Sequence, residues 1–398
     1  MQDEILLKDI EHVHRIIHVK SSFEFKIFNC ISFWIRKFFN RSGGKLEDGY
    51  VNDAAVSQEK WLQRFLLWLM TKHFLIERKL YAKSALKTLR HATNDVFDVV
   101  FSTFGPINNL FAGMAYKKKN PKCIWIADFR DHIYSETVHP LSYKKYTEKL
   151  MTKTENSADI STAVSLGCLK ALGAENSLKA HVVTNGFDED DLVNVPEYNN
   201  HINKKFTLAY TGAVYKERKF DMLFDALRRL IDEGKIDKAD LCLNYAGGYE
   251  QELMKQAKQF DLESIIKGHG FIPRKESLLL QMQSHLLILL SQNSQLIQGA
   301  MTGKVFEYMM INRPIVAVIE GDVPNSELAQ VIKNGNFGIC CERADKNDVD
   351  KLKTYLLSQY KHFKNGEPID YNPDLNYRYR FSYEYLSKRI VKLIEQVK

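Results

Sequence analysis

The sequence lacks the features that mark a secreted, membrane-spanning or metal-stapled chain. Its six cysteines (Cys30, Cys123, Cys168, Cys242, Cys340, Cys341) make no C-x-x-C pair and no metal-ligand spacing. That usage argues against a disulfide framework and suits a reducing cytosol. Cys123 and Cys242 sit in apolar runs, where a thiol behaves as a small hydrophobe. No apolar run is long enough to cross a bilayer, and Met1–Ile10 is charged throughout, unlike a signal peptide. Internal repeats and low-complexity tracts are absent too. What is there is 398 residues, 45% of them apolar, enough for two domains with full cores. A soluble or peripheral protein is expected.

Charge is unevenly placed. Between Lys20 and Lys45 stand six Lys/Arg against one acid, and between Ala54 and Arg90 eight against two. These two stretches together exceed the net charge of the whole chain, +7. Their bases alternate with large apolar residues, as in Phe33-Trp34-Ile35-Arg36-Lys37-Phe38-Phe39, and Trp61, Phe65, Trp68 and Leu69 recur at helical spacing. Such a stretch suits the headgroup region of an anionic membrane. It equally suits an ordinary helix with core aromatics and solvated bases. Nucleic acid is a poorer partner, because no recognition motif accompanies the charge.

From about residue 95 short apolar strands alternate with helical segments. Phe97–Ser102, Cys123–Ala127, Ile160–Val164 and His181–Thr184 come first. The polar stretch Asp188–Lys205 reads as a linker. Phe206–Tyr210, Leu241–Tyr245, Ile265–Gly268, Leu286–Leu290, Ile315–Ile319 and Gly338–Cys341 follow. The pattern predicts parallel sheets in two α/β domains. A last helix, Tyr383–Val397, carries apolar residues at Leu386, Ile390, Leu393 and Ile394, so it should pack on something.

Ligands of open parallel sheets bind where strands end and helices begin. Three turns there are rich in glycine: Thr211-Gly212-Ala213, leading to Arg218-Lys219; Ala246-Gly247-Gly248; and His269-Gly270-Phe271-Ile272-Pro273, followed by Glu276 and a helix over Ser277–Ser284. Glycine admits a ligand close to the backbone, and adjacent cations beside a helix N-terminus suit a diphosphate. A fourth segment, Gly303-Lys304-Val305-Phe306-Glu307-Tyr308, puts Val305, Phe306, Met309 and Met310 on one helical face and Lys304 with Glu307 on the other. That pair fits a crevice, or a solvated ion pair at i,i+3.

The order of these turns, with Arg313-Pro314 closing the fourth, resembles the donor half of family 4 glycosyltransferases. Phe101-Ser102-Thr103, Trp125 to Asp131 and Val183 to Asp188 look like the amino-terminal half of the same family, the branch that builds bacterial surface polysaccharides on a lipid carrier. The likeness runs from about residue 95 to the end. It implies a GT-B fold: α/β, two Rossmann-like domains facing a cleft, the first apparently incomplete. The expected division is an acceptor-side domain over 1–190, a nucleotide-sugar-binding domain over 206–375, and a helix over 376–398 crossing back to the first.

The resemblance also implies roles. Glu307 would take the ribose hydroxyls of a nucleotide-sugar, while Arg218 and Lys219, with backbone near Gly212, would hold the diphosphate. Gly247, Gly270, Gly303 and Lys304 would complete the donor site, Asp128 or Asp131 would take or orient the acceptor's proton, and Arg130 and Asn185 would lie on the acceptor side. Arg130 could instead brace the loop by pairing with Asp128 or Asp131. The implied reaction is a sugar transfer with retention, without metal or other cofactor, to a lipid-linked or saccharide acceptor at the cytoplasmic face of the membrane.

Three departures stand out. Where the family often has a second Glu, eight residues before 307, this chain has Gly299. Ala213 replaces a basic residue sometimes found after the first glycine. The usual opening strand and glycine-rich loop are missing, and the first candidate strand, His12–Val19, resembles the family's third. Loss of a central strand would leave backbone groups unpaired, so the natural amino terminus is expected to lie upstream. An inactive nucleotide-binding relative, or another GT-B enzyme such as a nucleotide-sugar epimerase, remains open.

Overall fold

The structure, a computed structural model, describes residues 61–104, 107–131, 141–193, 195, 203–214, 219–295 and 297–398. The candidate strand His12–Val19 and the basic aromatic stretch before Trp61 lie outside them. The chain divides into two units. One ends at Thr162 and takes in Leu172–His181; the other comprises Ala163–Ala171 and Val182–Gln396.

The first unit is built on strands β1 (Val99–Phe104), β2 (Ile124–Phe129), β3 (Ile160–Ala163) and β4 (Ala180–Val182), in that order across the sheet. β1 and β2 run parallel, with Val99 opposite Ile124. Helix α1 (Trp61–Ala92) extends over 32 residues, and α2 (Asn108–Lys119) packs on β1 and β2 beside α1 and α3 (Leu141–Ser157). The tight approach of α2 comes from Gly113, where a Cβ would stand 2.2 Å from the Trp125 indole nitrogen. That nitrogen is fully buried and donates to Ser102 Oγ at 2.8 Å, so the indole brings no unmet polar group into the core.

The second unit carries six parallel strands: β5 (Phe206–Thr211), β6 (Leu241–Ala246), β7 (Ile266–Gly268), β8 (Leu286–Gln292), β9 (Ile315–Glu320) and β10 (Gly338–Glu342). Their order is β10-β9-β8-β5-β6-β7, the doubly wound arrangement that reverses between β5 and β8. Both faces are covered, as near-continuous apolar strands require. Alternation along each strand splits the core in two. Phe206, Leu208, Tyr210, Ile288 and Val316 face helices α5 (Asp221–Asp232), α6 (Glu250–Lys258) and α10 (Asp348–Asn365). Ala209, Leu287, Leu289 and Ala317 face α7 (Arg274–Met282), α8 (Gly303–Ile311) and α9 (Glu327–Asn334). Two short elements complete the helices, α4 (Leu166–Ala171) and α11 (Leu375–Tyr379), before the last, α12 (Tyr383–Val397).

All ten anticipated strands from residue 95 onward are present, most within a residue or two of the expected bounds. Helix α7 starts three residues earlier than expected, at Arg274, directly after Pro273, which occupies the N-cap position without a side-chain cap. In α12 only Leu386 is buried; Ile390, Leu393 and Ile394 are half-exposed.

His285, at the foot of β8, is 4% exposed, with its ring against Phe206 and Phe363, and its Nδ1 accepts from the Thr207 N–H at 3.0 Å. Burial, with Arg313 adding positive charge, pulls its pKa down to about 4. The folded state therefore prefers the neutral ring. Its contribution is complete above the unfolded pKa of about 6.5 and is lost as pH falls from there through 4, by up to about 3 kcal/mol. His285→Phe is expected to flatten the fall in the urea midpoint over that window; a fall as steep as the parent's would contradict this.

Candidate functional site

The reversal between β5 and β8 puts the carboxyl ends of the central strands beside one another, and the glycine turns follow there. Tyr210 and Tyr245 face each other in register on β5 and β6, rings stacked at 6.1 Å. Each hydroxyl reaches the carbonyl three residues on: Tyr210 donates to Ala213, at 3.1 Å, and Tyr245 to Gly248. Burial raises the Tyr245 hydroxyl to about 12, so it stays a neutral donor. The two turns are also tied together. Gly212 N–H donates to Ala246 O at 2.7 Å, and Gly247 N–H donates to Gly270 O at 2.8 Å. Gly247 has φ +154°, and a Cβ there would lie 2.2 Å from the Gly212 carbonyl oxygen. A side chain at Gly212 would instead strike Lys304, whose Nζ lies 2.7 Å from that point. Gly212, Gly247, Gly270 and Lys304 thus form one cluster.

Helix α8 begins at Gly303, where added atoms would meet open space. Its apolar face is buried as its spacing predicts, with Val305, Phe306 and Met309 at 0% exposure. Glu307, 19% exposed, makes its ion pair with Arg274, Nη1 to Oε2 at 2.9 Å. Its other oxygen accepts from Gln281 Nε2 at 2.6 Å, and the same nitrogen reaches Thr211 Oγ1 at 3.0 Å. Arg274 also pairs with Asp191. Burial draws the Arg274 pKa down, but its bonds to Asp191 and Glu307 outweigh this and leave it raised.

Glu307, Lys304 and Gly303 line a cavity of about 520 Å³ together with Asn185, Asp188, Asp191 and Arg274. Asn185 is brought there by the chain just after it: Phe187 N–H donates to Phe381 O, and Tyr383 N–H donates back to Phe187 O. The second unit therefore gathers a glycine-turn cluster with Lys304 against it and a cavity lined by three carboxylates, Glu307, Asp188 and Asp191, with Arg274 and Lys304 among them. That combination can hold an anionic ligand carrying a vicinal diol, with cations on the anion and Glu307 accepting from the hydroxyls.

Lys219 is exposed just ahead of α5, and Arg218 lies outside the described residues. In the first unit Asp128 does not follow its strand as expected. It is inside β2, with no exposed surface, accepting from Thr162 Oγ1 at 2.6 Å and Arg130 Nε at 2.7 Å. Asp128 is fully buried in a central strand, Arg130 is half-buried and Asp131 is exposed. At position 299, a glycine at φ +70°, a Cβ would lie 2.6 Å from the Glu327 carboxylate. Glu327 accepts from the N–H groups of Leu166 and Gly167, so it fills space that a side chain at 299 would enter.

Arg274, Gln281 and Thr211 were not anticipated. Arg274 and Gln281 sit seven residues apart on α7, which places them on one helical face, with Ser277 between. That spacing was a readable signal.

Residues 205–358 match the sequence family described as "Glycosyl transferases group 1". No curated protein matches the sequence. Among solved structures, HepE of Anabaena in complex with UDP is 14% identical at a TM-score of 0.56, over 79% of this chain and 82% of that one. The lipopolysaccharide outer core galactosyltransferase WaaB in its apo form is 15% identical at 0.52, over 82% of each. A sucrose-phosphate synthase from Thermosynechococcus elongatus is 11% identical at 0.53, over 84% and 79%. At such identities the likeness is one of fold, two Rossmann-like α/β domains of the GT-B type.

Gly247→Ala is expected to destabilise the second unit by about 1–3 kcal/mol, because a methyl group must displace backbone. A urea midpoint equal to the parent's would show that the two turns are not in contact.

Proposed function

We propose, from the match of residues 205–358 to the family described as "Glycosyl transferases group 1", that the chain transfers a sugar, with retention, from a nucleotide-sugar to a lipid-linked or saccharide acceptor in surface polysaccharide synthesis. The observation that carries the reading is Glu307, held by Gln281 and Arg274 in the lining of a cavity shared with Lys304, which itself lies against the Gly212 turn. Its carboxylate accepts from the ribose hydroxyls. Lys304, Lys219 and Arg218, with backbone near Gly212 and the open start of α8 at Gly303, hold the diphosphate; Gly247 and Gly270 keep the turns close. The complex of HepE with UDP, in a protein of the same fold, supports a nucleotide of this kind.

In the reaction the bond from the anomeric carbon to the diphosphate breaks, and its electron pair leaves with the phosphate oxygen. The fixed cations stabilise that charge as it develops, which lowers the barrier. The acceptor hydroxyl attacks from the face the diphosphate vacates, giving retention. Asp131 takes or orients the acceptor's proton, Asp128 acts through Arg130 to position the loop, and Asn185 contacts the acceptor side. No metal takes part in this reading. We place the protein in the cytoplasm, peripheral on the inner face of the membrane; among the described residues no helix is long and apolar enough to cross a bilayer.

Gly299 favours a second reading, a relative that binds nucleotide without turnover, since a carboxylate often present in the family is absent. A thermal-shift screen across UDP-, GDP- and other nucleotide-sugars should identify a donor that raises the melting temperature. With it, Glu307→Ala should weaken binding at least about tenfold, the loss of a charged hydrogen-bonding partner; unchanged binding would sink the assignment. Labelled sugar appearing in membrane lipid, undiminished by EDTA, supports the transferase; binding without turnover supports the second reading.

A further inference from the structure

Three helices of the first unit enclose a groove that the transfer chemistry does not use. Its volume is about 750 Å³, within the range of about 300–1,000 Å³ typical of ligand sites. Helix α2 supplies the floor, with Phe111, Met114 and Ala115 at i, i+3 and i+4 and Lys118 at i+7 on the same face. Helix α1 supplies one wall, where Ala82 and Leu86 continue the apolar surface between Lys79, Lys83 and Arg90. Lys153 and Ser157 of α3 stand on the other side.

The charge here has one sign. Seven Lys/Arg line the groove and, among the described residues, no carboxylate does. Lys117 is occupied: it pairs with Asp159 at 2.7 Å and donates to Cys123 O at 2.6 Å. Lys79, Arg90, Lys118, Lys119 and Lys153 are exposed, and Lys83 is exposed while making a further contact of its own. Lys79 lies over the rings of Phe111 and Tyr146, at 5.7 and 6.0 Å, which sets its ammonium at the boundary between apolar floor and water. An apolar floor under a cationic rim matches an amphiphile with an anionic head. A nucleic acid would engage the rim and leave the floor unused.

We propose that this groove binds an anionic phospholipid, with the phosphodiester among Lys79, Lys83 and Lys118 and the start of an acyl chain over Phe111, Met114 and Ala115. The site fixes the first unit on the bilayer through one lipid as well as through diffuse charge. It deepens the membrane part of the reading above and rests on that part alone; nucleotide-sugar binding, measured on the same variants, should be unchanged, so failure of either reading can be told from failure of the other.

The test uses the full chain with phosphatidylcholine vesicles with and without phosphatidylglycerol, and calorimetry with a short-chain soluble phosphatidylglycerol. The triple variant Lys79→Gln, Lys83→Gln, Lys118→Gln should lose roughly fivefold in vesicle affinity per charge, about a hundredfold in all. Ala115→Trp, which fills the groove without changing charge, should abolish one-to-one binding of the soluble lipid. Inorganic phosphate should bind far more weakly than that lipid. Parent-like binding of both lipids by the triple variant would overturn the proposal, even if Ala115→Trp failed to fold. So would tighter binding of a single-stranded oligonucleotide, or displacement of the lipid by a polyprenyl-phosphate sugar at lower concentration.

Discussion

Gln281 has no exposed surface, and its amide nitrogen reaches both Thr211 at the end of β5 and Glu307 on α8. A primary amide has two hydrogens, and the two nearest acceptors, Glu307 and Thr211, take them ahead of Ser277 Oγ at 3.3 Å. The carboxylate fixes which way the amide faces, because only the nitrogen can donate to it. The amide oxygen is then buried with no partner among the described residues, a penalty of about 1–3 kcal/mol. The structure bears that penalty and in return holds Glu307 against the strand whose turn carries Gly212. Arg274 completes the hold from the start of the same helix. One helix, α7, thus sets both ends of the carboxylate.

The surroundings follow from a sheet whose strands all point one way. Parallel strands deliver every turn to the same edge, and the reversal between β5 and β8 opens a gap there. Within that gap the turns pack backbone to backbone at Gly247, where only glycine fits, and the φ of +144° at Gly212 favours glycine there too. The tyrosines beneath repeat one device on adjacent strands, a hydroxyl bonded to its own turn three residues ahead. Beside them Lys304 lies against Gly212, and Lys219 is exposed just ahead of α5.

Much of this was legible in the residues. Apolar runs bounded by glycine and polar clusters located the ten strands after residue 95, because a doubly covered sheet leaves little else for such runs to do. The amphipathic split of α8 foretold its buried face. Less legible was anything that depends on neighbours distant in sequence. Lys304 and Glu307 look like a pair in the chain, yet the structure pairs Glu307 with Arg274, 33 residues away. Asp128 reads as a loop carboxylate until its strand runs through Phe129 and Thr162 closes over it. Gly299 reads as a simple loss, whereas the Glu327 carboxylate occupies the space beside it.

The central claim is that Glu307 holds the two ribose hydroxyls of a nucleotide. Calorimetry with UDP and with 2′,3′-dideoxy-UDP, on the parent and on Glu307→Ala, tests it as a closed cycle. The account predicts that removing the hydroxyls weakens binding to the parent by about ten- to a hundredfold and has almost no effect on the variant. An equal loss in both proteins would show that the ribose is held elsewhere, and the account would fail.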